Sequence, residues 1–96
     1  MNVEEMFEKH SDEYIKFENV PLERKLSNRP DLCAFLLLEK LVPDTTDIVA
    51  SAEHDEIFLG VDLDALEKVA TEEDIITLIR CGVHYNSEYN ALTMFV

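Results

Sequence analysis

Seven consecutive apolar residues, Leu32 to Leu38, stand between Pro30 and Pro43, and no other segment constrains the fold as tightly. Pro30 suits the first position of a helix, where its missing N–H costs nothing, and Asp31 complements the positive end of the helix dipole. A helix carrying such a run has little room for a wet face. The sequence therefore predicts a central buried helix over residues 30–41, closed off before Pro43. The rest of a 96-residue chain must assemble around it. A chain of that length hides roughly 60–68% of its unfolded surface, enough for one modest core, so a single domain over residues 1–96 is expected. With 47% hydrophobic residues, two Gly and three Pro, the composition excludes a low-complexity chain, a collagen-like repeat and a membrane span.

Periodicity places the other elements. Val3, Met6, Phe7, His10, Tyr14 and Phe17 form a helical stripe across residues 3–17, with Asn2 and Glu5 spaced as a capping box. His10-Ser11-Asp12 is the point where that segment would divide into two helices. Residues 18–30 read as a connection broken by Pro21, Ser27, Asn28 and Pro30. Residues 42–55 read as an acidic connection with a helical turn around Ile48 to Ala52. Ile57-Phe58-Leu59 with Val61 reads as a short strand. Asp62 or Asp64 caps a helix over residues 63–70. Thr71, followed by Glu72, Glu73 and Asp74, opens another, whose inner face is Ile75, Ile76, Leu78 and Ile79. Gly82 supplies its left-handed stop. Val83–Tyr85 and Ala91–Val96 flank the polar residues 86–90 as a closing hairpin. The fold class expected is α+β: about four helices with a short antiparallel three-stranded sheet and a C-terminal β-hairpin.

Charge limits function more than any motif does. Twenty-one acids against eight bases give a net charge of −13. Affinity for nucleic acid and for anionic membranes comes mainly from Lys and Arg, so neither is an expected direct partner. A basic protein surface is the natural counterpart. From Asp44 to Asp74 there are eleven acids and one base, Lys68. Asp62, Asp64, Glu72, Glu73 and Asp74 have caps or helix starts to serve. Asp44, Asp47, Glu53, Asp55, Glu56 and Glu67 have no such local task, and they are the expected partner-binding acidic face. Duplex DNA carries one charge per ~1.7 Å of axis, so imitation of DNA toward a host or defence protein is one form this face would take. The only basic stretch, Arg24, Lys25 and Arg29, would meet an acidic partner, the acidic surface of a second copy, or solvent.

Catalytic signatures are sparse. Cys33 near a helix N-terminus and His54 within Glu53-His54-Asp55-Glu56 are the candidates for a small hydrolase. The apolar neighbours Leu32, Ala34 and Phe35 point instead to a buried, structural Cys33. Adjacent residues of an extended chain face opposite ways, so His54 and Asp55 do not converge. Asp62-x-Asp64 lacks the glycine and the bidentate Glu of a calcium loop, and two glycines cannot build a phosphate-cradling loop. No enzyme activity, cofactor or metal is expected. The widely spaced Cys33 and Cys81 and the polar opening Met1-Asn2-Val3-Glu4-Glu5 indicate free thiols in a reducing compartment. The alternative to an acidic docking module is a structural accessory protein that self-associates through apolar contacts of the hairpin near Tyr85, Tyr89 and Phe95.

Arg29-Pro30-Asp31-Leu32-Cys33-Ala34-Phe35-Leu36-Leu37-Leu38, Ala52-Glu53-His54-Asp55-Glu56-Ile57-Phe58-Leu59 and Leu92-x-Met94-Phe95 resemble small acidic proteins encoded by phages and prophages. Those proteins have no assigned activity, so no functional residue carries over. The resemblance implies an accessory protein in a bacterial host cytoplasm, in keeping with a binding role.

Overall fold

The computed structural model describes residues 2–95; Met1 and Val96, the latter expected at the end of the last strand, lie outside the described residues. Helix α1 spans Val3–Lys9. The Asn2 side chain starts it by accepting the Glu5 N–H at 3.0 Å, and Val3 and Phe7 are its buried residues. The expected stripe to Phe17 is not one helix. Three short 3-10 turns follow instead, Ser11–Glu13, Phe17–Asn19 and Leu22–Arg24. Between the first two, Ile15 adopts a φ of 64°, which a right-handed helix cannot contain. Tyr14 and Phe17 still pack on the core, but from separate turns. The apolar spacing determined which side chains turn inward, not the continuity of the backbone joining them.

Helix α2 occupies Pro30–Leu41, and its C-terminal cap is Val42, one residue before Pro43. Cys33, Ala34, Leu37 and Leu38 are buried, whereas Leu32 and Leu36 are 44% and 42% exposed. This corrects the expectation of a helix without a wet face. A core this small covers one side of α2 and leaves the other in water.

The expected helical turn at Ile48–Ala52 is a strand. β1 (Val49–Glu53) pairs antiparallel with β2 (Glu56–Leu59) across the two-residue turn His54-Asp55, where His54 has a φ of 55°. Pairing with β2 overrides the local preference of a segment rich in alanine. The sheet consequently has four strands rather than three. Val61 is buried but lies beyond the end of β2. Helix α3 (Leu63–Val69) takes Asp62 as its cap, the carboxylate accepting the Asp64 N–H at 2.9 Å. Helix α4 (Glu72–Arg80) begins with a full capping box, Thr71 and Asp74 each bonding the other's backbone N–H. β3 (Val83–Asn86) and β4 (Ala91–Phe95) close the chain as the expected hairpin.

The order across the sheet is β1-β2-β4-β3, every pair antiparallel. The register aligns Leu59, Leu92 and Tyr85 in one row and Ile57, Met94 and Val83 in another. These rows share the sheet face that meets the helices, with Leu59, Leu92, Met94 and Val83 buried. α4 is the hub, touching α1, α2 and β3 through the buried Ile75, Thr77, Leu78 and Ile79. The opposite face carries the row Phe58, Thr93 and His84. The two faces set up the polar geometry described next.

Candidate functional site

The six acids expected to form one face separate into two kinds. Asp44, Asp47, Glu53 and Asp55 are exposed and pair with no basic side chain among the described residues. Glu56 and Glu67 have work inside the fold. Glu67 accepts the Val3 N–H at 2.9 Å and so ties α3 to the start of α1. Glu56 is half-buried and faces His84. Its side chain projects from the strand face opposite the helices, a position that only the register reveals.

The four free acids bracket β1. Asp44 and Asp47 line a shallow cavity together with Thr45, Ala50, Gly60 and Asp62, at the start of the strand. Glu53 ends the strand, and Asp55 sits in the turn after it. At about 3.3 Å per residue the two acidic groups stand ~16 Å apart. β1 is an edge strand with all five residues exposed. Glu53 and Glu56 flank a two-residue turn and so form a hydrogen-bonded pair, which makes Ala52, opposite Ile57, direct its N–H and C=O away from β2. Among the described residues nothing fills them. Glu5, Asp12, Glu18, Glu23 and Glu39 are exposed elsewhere, so the whole surface is acidic. The β1 region differs in joining acids to open backbone.

The basic stretch does not reach these acids. Arg24 binds Asp74 at 3.1 Å, Arg29 binds Asp31 at 3.2 Å, and the Lys25 ammonium sits 4.6 Å from the centre of the Phe17 ring. The Arg29 contact holds the Asp31 carboxyl below the usual range.

A second polar cluster was not legible in the sequence. His84 Nε2 lies 2.6 Å from Thr93 Oγ1 and 3.2 Å from Glu56 Oε2. A carboxylate only accepts, so the contact with Glu56 places the proton on Nε2. Nδ1 is buried without a partner among the described residues. The Phe95 ring stacks on the imidazole at 4.9 Å, and the Tyr14 ring meets it edge-on at 6.0 Å. Burial, and then the charge of Glu56, push the Tyr14 hydroxyl above its ordinary range. A hydroxyl–histidine–carboxylate relay uses both ring nitrogens, one for each partner. Here both partners converge on Nε2 and Thr93 is fully buried, so the cluster clamps a ring in place and cannot pass a proton through it. His84 and Tyr14 also line a cleft of about 550 Å³ with Phe7, Tyr85 and Phe95, and Glu4 and Glu8 stand among its walls.

The other catalytic candidates are also placed. Cys33 is fully buried, its sulfur 3.9 Å from the Arg24 carbonyl. Burial, reinforced by neighbouring Cys33, pushes the Cys81 thiol far up and suppresses its thiolate. His54 is exposed in the β1–β2 turn. Among the described residues no group of three or more His, Cys, Asp or Glu is arranged to hold a metal ion, and no helix is long and apolar enough to cross a membrane. No protein family, curated protein or solved structure matches this chain.

Proposed function

We propose that this chain is a non-enzymatic interaction module that offers the acid-flanked edge of β1 to a basic protein surface. The observation carrying this reading is the placement of Asp44 and Asp47 at one end, and Glu53 and Asp55 at the other, of an edge strand with free backbone groups. Carboxylates steer a cationic partner and set its register, while Ala52 supplies a donor and an acceptor between them. A nucleic-acid-binding site is one basic surface of this kind. The partner expected from the phage resemblance is a bacterial host protein.

The test is capture of basic proteins from bacterial lysate by the intact chain and by the isosteric variant Asp44→Asn, Asp47→Asn, Glu53→Gln, Asp55→Asn. Capture should be strong at ~0.1 M salt and lost at ~1 M, where the Debye length falls from about 10 to about 3 Å. It should also be lost in the variant at either concentration. Equal capture by the variant overturns the reading. A second reading rests on Tyr89 and Phe95, 57% and 59% exposed on the hairpin: self-association through that surface. Light scattering that shows dimers insensitive to salt would favour it.

A further inference from the structure

The cleft between α1 and the β3–β4 hairpin is separate from the β1 edge, since β3 and β1 are opposite edges of the sheet. Its volume of about 550 Å³ lies within the range of small-molecule sites and exceeds what one inserted side chain fills. The walls are aromatic, from Phe7, Tyr14, Tyr85 and Phe95. The ionised groups there are of one sign. Glu4 and Glu8 lie one helical turn apart on α1, no salt bridge engages either among the described residues, and no Lys or Arg lines the space. An anion would meet two carboxylates and no donor of positive charge. A wholly apolar ligand would leave the two carboxylates unused.

From this we infer that the cleft binds a small organic cation with an aromatic stem, of the arylalkylammonium class. Ring faces attract an ammonium through their quadrupoles and cover the stem, while Glu4 and Glu8 compensate the charge. His84 is a positioning residue here. Its contacts with Glu56 and Thr93 hold the imidazole against which Phe95 stacks, and so fix that wall before a ligand arrives.

Phenethylammonium, phenethyl alcohol and 3-phenylpropionate share a stem and differ in charge, and they are the probes. Titrations followed by amide NMR of the full chain should give saturable shifts at residues 7, 14, 84, 85 and 95 with phenethylammonium. The alcohol should bind more weakly and the anion not at all. Glu4→Gln with Glu8→Gln should weaken phenethylammonium roughly three- to tenfold, the scale of two exposed ion pairs, and leave the alcohol unchanged. Phe95→Ala, at an exposed position that need not disturb folding, should weaken both. Equal affinity for ammonium and alcohol overturns the charge assignment and with it the proposal. Shifts confined to residues 44–55, or an unaltered affinity in the double glutamine variant, overturn it as well. None of these results bears on the β1 edge, whose own test uses different residues.

Discussion

Replacing Gly60 by alanine tests the close approach that holds β1 to the rest of the fold. A Cβ at position 60 would lie 2.1 Å from the Asp47 carbonyl oxygen, and 3.3 Å from the Ala50 side chain. Ordinary contact begins near 3.4 Å, so the backbone at Asp47 must retreat by more than an ångström. The Gly60 N–H donates to the Ile48 carbonyl at 2.8 Å, one residue along, and that bond cannot survive the retreat intact. Overpacking of this kind costs roughly 1–3 kcal/mol and a lost hydrogen bond about 0.5–1.5 kcal/mol, which together give ~2–4 kcal/mol. In a domain of this size each kcal/mol lowers the melting temperature by roughly 4–8 °C. Gly82 is the internal control. It has a φ of +99°, but the nearest atoms to an added Cβ are 3.9 and 4.0 Å away. Gly82→Ala therefore carries backbone strain alone, on the order of 1–2 kcal/mol. Urea denaturation of both variants should rank Gly60→Ala as the more damaging. A Gly60→Ala protein within ~0.5 kcal/mol of the parent, or less affected than Gly82→Ala, would refute the packing described.

Other outcomes follow from the same geometry. Leu38→Ala, in the fully buried face of α2, should cost ~2–5 kcal/mol in urea denaturation, whereas Leu22→Ala, at 83% exposure, should stay within ~0.5 kcal/mol; similar costs for the two would contradict the assignment of the core. Ile15→Asn should raise the melting temperature, because asparagine tolerates the left-handed backbone that a β-branched residue resists, and a fall would show that its side-chain contacts outweigh the strain. The hydrogen bond from His10, then that from Lys9, holds the Glu72 carboxyl below the ordinary glutamate range. Its folded pKa is depressed, so its contribution is present above the unfolded value of ~4.3 and is lost as pH falls through the folded one. Acidification should therefore destabilise the parent more than Glu72→Gln, and parallel stability–pH curves below pH ~5 would contradict this.

The sequence carried the fold class because its strongest signals are local. Pro30 with Asp31, Thr71 with the acids after it, and Gly82 all mark their own helix ends, and the structure places helix ends there. What failed depended on distant partners. Residues 49–53 become a strand because β2 is beside them, and nothing in the five residues themselves demands it. Ile15 turns left-handed while its N–H bonds the Ile79 carbonyl, 64 residues away, and the stripe of Val3 to Phe17 is interrupted by that contact. The same limit governed the acids. Asp44, Asp47, Glu53 and Asp55 look idle in sequence and are free in the structure, but Glu67 and Glu56 look equally idle and are occupied by Val3 and His84. The cleft walls come from α1, the first 3-10 turn, α4 and both hairpin strands, a convergence with no sequence spacing to announce it.

The most direct measurement for the docking role is an amide NMR titration of the labelled chain with a short oligolysine peptide at low salt. A docking edge predicts saturable shifts concentrated at residues 44–55, with Ala52 among the largest, and their disappearance in the variant with Asp44, Asp47, Glu53 and Asp55 neutralised. Shifts spread evenly to Glu5, Asp12, Glu18, Glu23 and Glu39, and unchanged by that variant, would contradict it: the peptide would then be reading net charge, and β1 would hold no privileged place.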